Sequence, residues 1–215
     1  MKYKTFIFDL DGTLLDTLQD LANSVNFALN KKGYPVRTID EVRMFIGNGI
    51  AKLIERAVPP GTDSDDYADT LRIFKAHYLE HLADNTRAFD GITEVVDCLK
   101  EQGCKVAVVS NKAHDAAQAV VSDYFGSRFD SVVGKMDCFP TKPAPDSVFY
   151  TMKKLGVEPE ECVYIGDSDV DVETAHNAGL ECIGVTWGNR DRSVLESSGA
   201  EYIADKPQDI INLMK

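Results

Sequence analysis

Long apolar runs are missing from this 215-residue chain, and none approaches the roughly 20 residues that a membrane-crossing helix needs. Met1-Lys2-Tyr3-Lys4 leads straight into a short strand-like run with no signal-peptide apolar region, so a soluble, cytoplasmic protein is expected. Cysteine is scarce. Cys98, Cys104, Cys138, Cys162 and Cys182 make an odd set without a C-x-x-C pair, which argues against a disulfide framework and for a reducing compartment. Positive charge is short as well: 23 Lys plus Arg stand against 35 Asp plus Glu, a formal net charge of −12. Such a surface repels nucleic acid and anionic membranes, so neither is an expected partner. A phosphorylated substrate would meet the same repulsion. Its site would need local positive charge from lysine, a divalent cation or aimed backbone amides.

Internal repeats and low-complexity tracts are also absent, while 44% hydrophobic residues supply a core. After a first strand at Phe6-Ile7-Phe8, residues 16 to 83 read as nearly pure helix. Asp16-Thr17-Leu18-Gln19 has the form of a capping box, followed by the stripe Leu18, Leu21, Ala22, Val25 and Leu29; Thr38 and Glu41 repeat the cap pattern. Ile50, Leu53, Ile54, Ala57 and Val58 form a second stripe that stops at Pro59-Pro60-Gly61, and Tyr67, Leu71, Phe74, Tyr78 and Leu82 a third. From Gly91 the pattern alternates between helix and buried strand, with strands expected at 106–109, 129–133, 163–165, 183–185 and 202–203. That alternation predicts a parallel α/β sheet with right-handed crossovers. The first strand finds no partner in the helical segment and joins the later sheet. The expected organisation is a catalytic core of residues 1–14 and 86–215, with residues 15–85 inserted as a helical cap.

The chemistry-bearing residues fall where the strands end. Asp9 and Asp11 close the first strand, project to the same side, and precede Gly12, which lets the chain turn. Ser110-Asn111-Lys112 follows the strand at 106–109, Thr141-Lys142-Pro143 lies in a loop, and Gly166-Asp167-Ser168-Asp169-Val170-Asp171 follows the strand at 163–165. Each has a plain structural reading. Ser110, Asp167 or Ser168 could cap a helix, and Lys142 could be a solvated loop lysine. For all of these to hold at once, at successive strand-to-helix junctions of one sheet, would be a coincidence.

The set Asp9-Leu10-Asp11-Gly12-Thr13, Ser110, Lys142 and Gly166-Asp167-Ser168-Asp169-Val170-Asp171 resembles the four motifs of the haloacid dehalogenase superfamily, and the resemblance spans the chain. A second aspartate two residues after the first resembles the phosphatases and phosphomutases of that family. Val42–Gly49, Val108–Lys112 and Val185-Thr186-Trp187-Gly188 look most like phosphoglycolate phosphatases. The chain departs from the pattern ahead of the lysine, reading Gly134-Lys135-Met136-Asp137-Cys138 where relatives often carry Gly-Gly-Asp.

The resemblance implies a parallel Rossmann-like sheet with helices on both faces, an all-helical cap, and a magnesium-dependent phosphomonoesterase acting on a small phosphorylated metabolite, 2-phosphoglycolate being the best match. It implies Asp9 as nucleophile forming an aspartyl-phosphate, Asp11 as general acid and then base, and Lys142 as the catalytic lysine. Ser110, Asn111 and Lys142 would bind the phosphate; Asp9, Asp11 through its carbonyl, Asp167 and Asp171 would hold Mg2+. Gly47 and Asn48 of the cap could contact substrate or simply form a tight turn that opens the next helix. His77 and His81 are spaced i, i+4 but lack a third ligand, so a solvated cap face is expected. A phosphomutase or inorganic pyrophosphatase on the same scaffold is the nearest alternative. A phospho-receiver signalling domain is the alternative of a different class. The assembly is expected to be a monomer or homodimer.

Overall fold

The computed structural model describes residues 2–213. Its chain divides into two compact units: one runs to Asp16 and resumes at Ala88, and the other is Thr17–Arg87.

The first unit is built on Thr5–Phe8 (β1). All four of its residues are buried, which explains why its run is continuously apolar rather than alternating. After the two-residue strands Leu15–Asp16 (β2) and Arg87–Ala88 (β3), the sheet continues with Lys105–Ala113 (β4), Ser131–Lys135 (β5), Cys162–Gly166 (β6), Glu181–Val185 (β7) and Tyr202–Ala204 (β8). The order is β5-β4-β1-β6-β7-β8 and every pairing is parallel. β1 lies between β4 and β6, with Phe8 opposite both Val108 and Ile165. The strand order reverses at that point, and in open parallel sheets the carboxyl-end crevice there is where ligands bind. Helices Ile92–Glu101, His114–Phe125, Asp146–Leu155, Asp169–Asn177, Arg192–Ser198 and Pro207–Leu213 (α5–α10) flank the sheet. One buried cluster joins Ile7, Val109 and Tyr164 of the strands to Met152 and Ala175 of the helices.

β4 outruns its expected end by four residues, and its pairing with β5 shifts register between Val109 and Ala113. Ser110-Asn111-Lys112 occupies that irregular stretch. Bulges of this kind re-aim side chains at the rim of a sheet. α6 therefore starts at His114 with Ala113 as its N-cap, and Ser110 is no cap.

The second unit contains Leu18–Lys31, Ile39–Phe45, Ile50–Ala57 and Ser64–Glu80 (α1–α4), which share a core including Leu21, Val25, Leu53, Ile54 and Phe74. The box at Thr38 and Glu41 forms in both directions. The expected box at Asp16–Gln19 does not. Thr17 is the N-cap of α1 with φ −109° and ψ 0°, away from the extended conformation that aims a cap side chain back at the helix, and it makes no cap hydrogen bond. Asp20, 1% exposed, instead accepts from the backbone N–H groups of Asn85 and Thr86, the Asn85 amide and the Thr86 hydroxyl. Burial alone would push its carboxyl up, but those bonds hold it below the ordinary carboxylate range. No helix among the described residues is long and apolar enough to cross a membrane.

Candidate active site

Asp9 follows β1 and stays in sheet register because its N–H donates to the Ile165 carbonyl at 2.8 Å. The chain then doubles back, with Leu14 and Leu15 both donating to the Leu10 carbonyl at 3.0 Å and Gly12 to Leu15 at 2.8 Å. Gly12 has φ +94°, and a Cβ there would stand 2.1 Å from Asn189 Nδ2 and 2.3 Å from Asp167 Oδ2. Only glycine combines that backbone with so close an approach.

Lys142 reaches this corner from the loop after β5. Its Nζ lies 2.8 Å from Asp9 Oδ1, 2.7 Å from Asp171 Oδ1 and 3.0 Å from the Tyr164 hydroxyl. The loop is clipped in place by Asn111, whose amide accepts from Lys142 N at 2.8 Å and donates to its carbonyl at 3.2 Å. The Asn111 side chain thus positions the lysine. Burial opposes the ammonium charge, yet the Asp171 and Asp9 carboxylates outweigh it and hold the Lys142 pKa well above its ordinary value.

The carboxylates are raised too, which for them favours the neutral form. Burial pushes Asp9 up to about 8, against the pull of Lys142, with Asp171 and Asp167 adding to the rise. Asp167 is pushed up to about 6 by burial and by Asp171, although Asn189 N, Asn189 Nδ2 and the Thr13 hydroxyl donate to it at 2.7, 2.9 and 3.1 Å. The site therefore carries more negative charge than its one bridging lysine offsets.

That excess suits a cation. Asp9, Asp167 and Asp171 each bring a carboxylate oxygen within 4.8 Å of the others, and all three are buried. Asp9 Oδ1 sits beside Lys142 but off the line of a hydrogen bond, and no other group donates to it. An oxygen-only, acidic donor set fits a hard cation such as Mg2+. Asp171 is the most committed of the three. Ser168 N and Oγ donate to its Oδ2 at 3.1 and 2.6 Å and Lys142 to its Oδ1, so it is both partner of the lysine and third residue of the box that opens α8. Ser168 thus caps α8, as its plain structural reading has it, while the same box leaves Asp171 Oδ1 to Lys142.

Ser110 is buried at the end of β4, its Oγ accepting from Lys112 N at 3.2 Å. Asp11 is ion-paired with Lys112 at 3.0 Å. Sequence reasoning assigned no role to Lys112, Tyr164, Thr13 or Asn189. A lysine within the Ser110-Asn111-Lys112 run was the visible signal for the first; the others touch the aspartates from residues that resemble ordinary strand and loop positions.

In the helical unit, Gly47-Asn48-Gly49 is the turn that opens α3, with φ +114° at Gly47 and +81° at Gly49. Asn48 Oδ1 accepts from Arg56 Nη2 at 2.9 Å, and Arg56 Nη1 donates to the Phe45 carbonyl at 2.7 Å. His77 and His81 stack with ring centroids 4.2 Å apart; their Nδ1 atoms pair with the Ser24 hydroxyl and with Asp84.

The chain is similar to known proteins along nearly its whole length. The Haloacid dehalogenase-like hydrolase family matches residues 6–185. The phosphoglycolate phosphatase of Aquifex aeolicus is 31% identical over 213 residues, covering 98% of this chain and 96% of that protein. That of Haemophilus influenzae is 32% identical over 222 residues, covering 99% of each. A crystal structure from Lactobacillus delbrueckii subsp. bulgaricus superposes with a TM-score of 0.95 at 33% identity, covering 100% of this chain and 99% of that one.

Proposed function

Since the chain belongs to the haloacid dehalogenase-like hydrolases and is a phosphatase similar to phosphoglycolate phosphatases, we propose that it hydrolyses 2-phosphoglycolate through a phosphorylated Asp9, with Mg2+ as cofactor. The observation that carries this reading is the buried Asp9 carboxylate at the end of β1, with Lys142 Nζ 2.8 Å away and Asp11 two residues on.

Asp9 and Asp167, with the Asp11 carbonyl, would hold Mg2+, and Asp171 would complete the acidic set while fixing Lys142. When bound, the ion supplies positive charge that lowers the repulsion between carboxylate and phosphate and shifts Asp9 toward its ionised form. Asp9 attacks phosphorus, the P–O bond to glycolate breaks, and Asp11 gives its proton to the leaving oxygen. Asp11 then takes a proton from the water that cleaves the acyl phosphate, which regenerates Asp9 and releases phosphate. Lys142 and the Ser110 hydroxyl bind the phosphoryl oxygens, where charge spreads during transfer. Asn111 serves the same end by holding the Lys142 backbone. The helical unit is the proposed cap, with Gly47 and Asn48 its candidate substrate contacts.

Phosphate release from 2-phosphoglycolate tests the reading directly. It should require Mg2+, stop with chelator and vanish in Asp9→Asn, while Asp11→Asn should still accept phosphate from a substrate whose leaving group needs no proton. Turnover that survives Asp9→Asn would overturn the nucleophile assignment.

A further inference from the structure

Two lysines are buried at the carboxyl edge of the sheet, and the mechanism above uses one of them. Lys142 is committed to Asp9 and Asp171. Lys112 stands two residues beyond Ser110 on the irregular end of β4, its side chain 4% exposed and its Nζ 3.0 Å from Asp11 Oδ1. Sinking an ammonium from water is costly unless charge pairing returns the lost hydration. Asp11 keeps 23% of its side chain exposed and could be paired from solvent by a flexible surface lysine at far lower cost. The backbone nonetheless fixes Lys112 where it is. Gly134 of β5 lies so close that a Cβ there would stand 2.6 Å from the Lys112 carbonyl and 2.7 Å from His114 Cα.

The position of Lys112 has a consequence for the leaving group. A proton donor must come within about 2.6–3.2 Å of the ester oxygen it protonates. The Lys112 ammonium is one hydrogen bond from Asp11 Oδ1, hence within about 6 Å of the ester oxygen when that oxygen carries the proton and within about 8 Å when Oδ2 does. In a phosphorylated 2-hydroxy acid the carboxylate carbon is two bonds from the same oxygen, so a carboxylate turned toward this ammonium comes into its ion-pair range. The phosphoryl group is meanwhile served by Lys142 and Ser110. We propose that Lys112 is the specificity residue of the site: it recognises a carboxylate next to the scissile ester and so favours phosphorylated 2-hydroxy acids over phosphate esters of uncharged alcohols. The inference rests on the phosphomonoesterase reading above and adds to it the group that reads the alcohol half of the substrate.

The test compares 2-phosphoglycolate with ethyl phosphate, which has the same carbon count and no carboxylate, in wild type, Lys112→Met and Lys112→Arg with Mg2+. The quantity read is the ratio of kcat/KM values for the two esters in one preparation, from which the fraction of folded enzyme cancels. Loss of a charge-assisted bond should lower that ratio by roughly 10- to 150-fold in Lys112→Met, mainly through KM for 2-phosphoglycolate, and Lys112→Arg should restore most of it. A ratio that stays within about threefold of wild type while kcat falls equally for both esters would make Lys112 only a support for Asp11 and would overturn the proposal. So would an unchanged ratio in both variants. A wild-type enzyme that hydrolyses neither ester fails the phosphomonoesterase reading itself, whereas one that hydrolyses both without preference fails only the specificity claim.

Discussion

Replacing Lys142 by methionine strips one ammonium from between two buried carboxylates, and the cost should depend on pH in a calculable way. The side chains of Lys142, Asp9 and Asp171 are 3%, 11% and 0% exposed, with nitrogen–oxygen distances of 2.8 and 2.7 Å. Removing one partner of such a buried set costs about 3–5 kcal/mol, because the charge left behind lacks both water and counter-ion. Protonation offers an escape. In metal-free protein Asp9 is raised from 3.8 to about 8, so the folded state holds a proton that the unfolded chain releases. Stability contributed by that proton is present at low pH and falls as pH rises from about 4 to about 8, beyond which it is level. Without Lys142 the Asp9 carboxyl moves higher still, and the variant goes on losing about 1.4 kcal/mol per pH unit where wild type no longer does. The destabilisation should thus lie near 3 kcal/mol at pH 6 and rise to about 4.5 kcal/mol at pH 9. Urea unfolding with chelator present measures it. Trp187, the only tryptophan, is a convenient probe because its Nε1 donates to the Thr13 carbonyl beside the site. Equal losses at both pH values, or a loss under about 1 kcal/mol, would refute the reasoning.

Other perturbations follow from the same geometry. Mg2+ affinity should rise close to tenfold per pH unit between about 6 and 8 as the ion displaces the Asp9 proton, and calorimetry in buffers of different ionisation enthalpy should detect that proton; a flat profile would contradict the assignment of Asp9 as ligand. Gly12→Ala drives a Cβ against Asp167 and Asn189, so activity should fall by roughly 100-fold or more, whereas Gly33→Ala, at φ +70° in open space, should cost about 1 kcal/mol of stability and leave activity intact. Asp20→Ala removes the acceptor that gathers Asn85 and Thr86, and should destabilise the helical unit by at least about 2 kcal/mol, visible as faster hydrogen exchange at those two amides.

The sheet was legible because its strands are buried on both faces: runs such as Phe6-Ile7-Phe8 and Val163-Tyr164-Ile165 have no polar alternation to confuse them with surface structure. The acidic corner was legible because Asp9, Asp11 and Asp167 follow such runs directly. What sequence could not reveal depends on geometry at right angles to the chain. The bulge in β4 leaves no local mark, so Ser110-Asn111-Lys112 was expected beyond the strand's end, with Ser110 a possible helix cap, when it is irregular strand. Asn111 also clips the Lys142 backbone with its side-chain amide, a contact across 31 residues that no local pattern announces. Tyr164 hid inside a strand where an aromatic is ordinary, although its hydroxyl meets both Lys142 and the Val109 carbonyl. At Asp16–Gln19 the residue types were right for a cap and the backbone was wrong.

Asp171 belongs at once to the Ser168 box that starts α8 and to the ion pair that steadies Lys142, so two properties usually inherited separately are tied to one side chain. The amides in the first turn of α8 should report on events at Asp9 even though they touch no substrate. A change of charge at the nucleophile alters the pull on Lys142, that alters the pull on Asp171, and the first turn of the helix tightens or frays in response. Nor can the chain drift freely here: a substitution that improves the helix start at the expense of the carboxylate would cost turnover, which leaves evolution fewer ways to restabilise this corner.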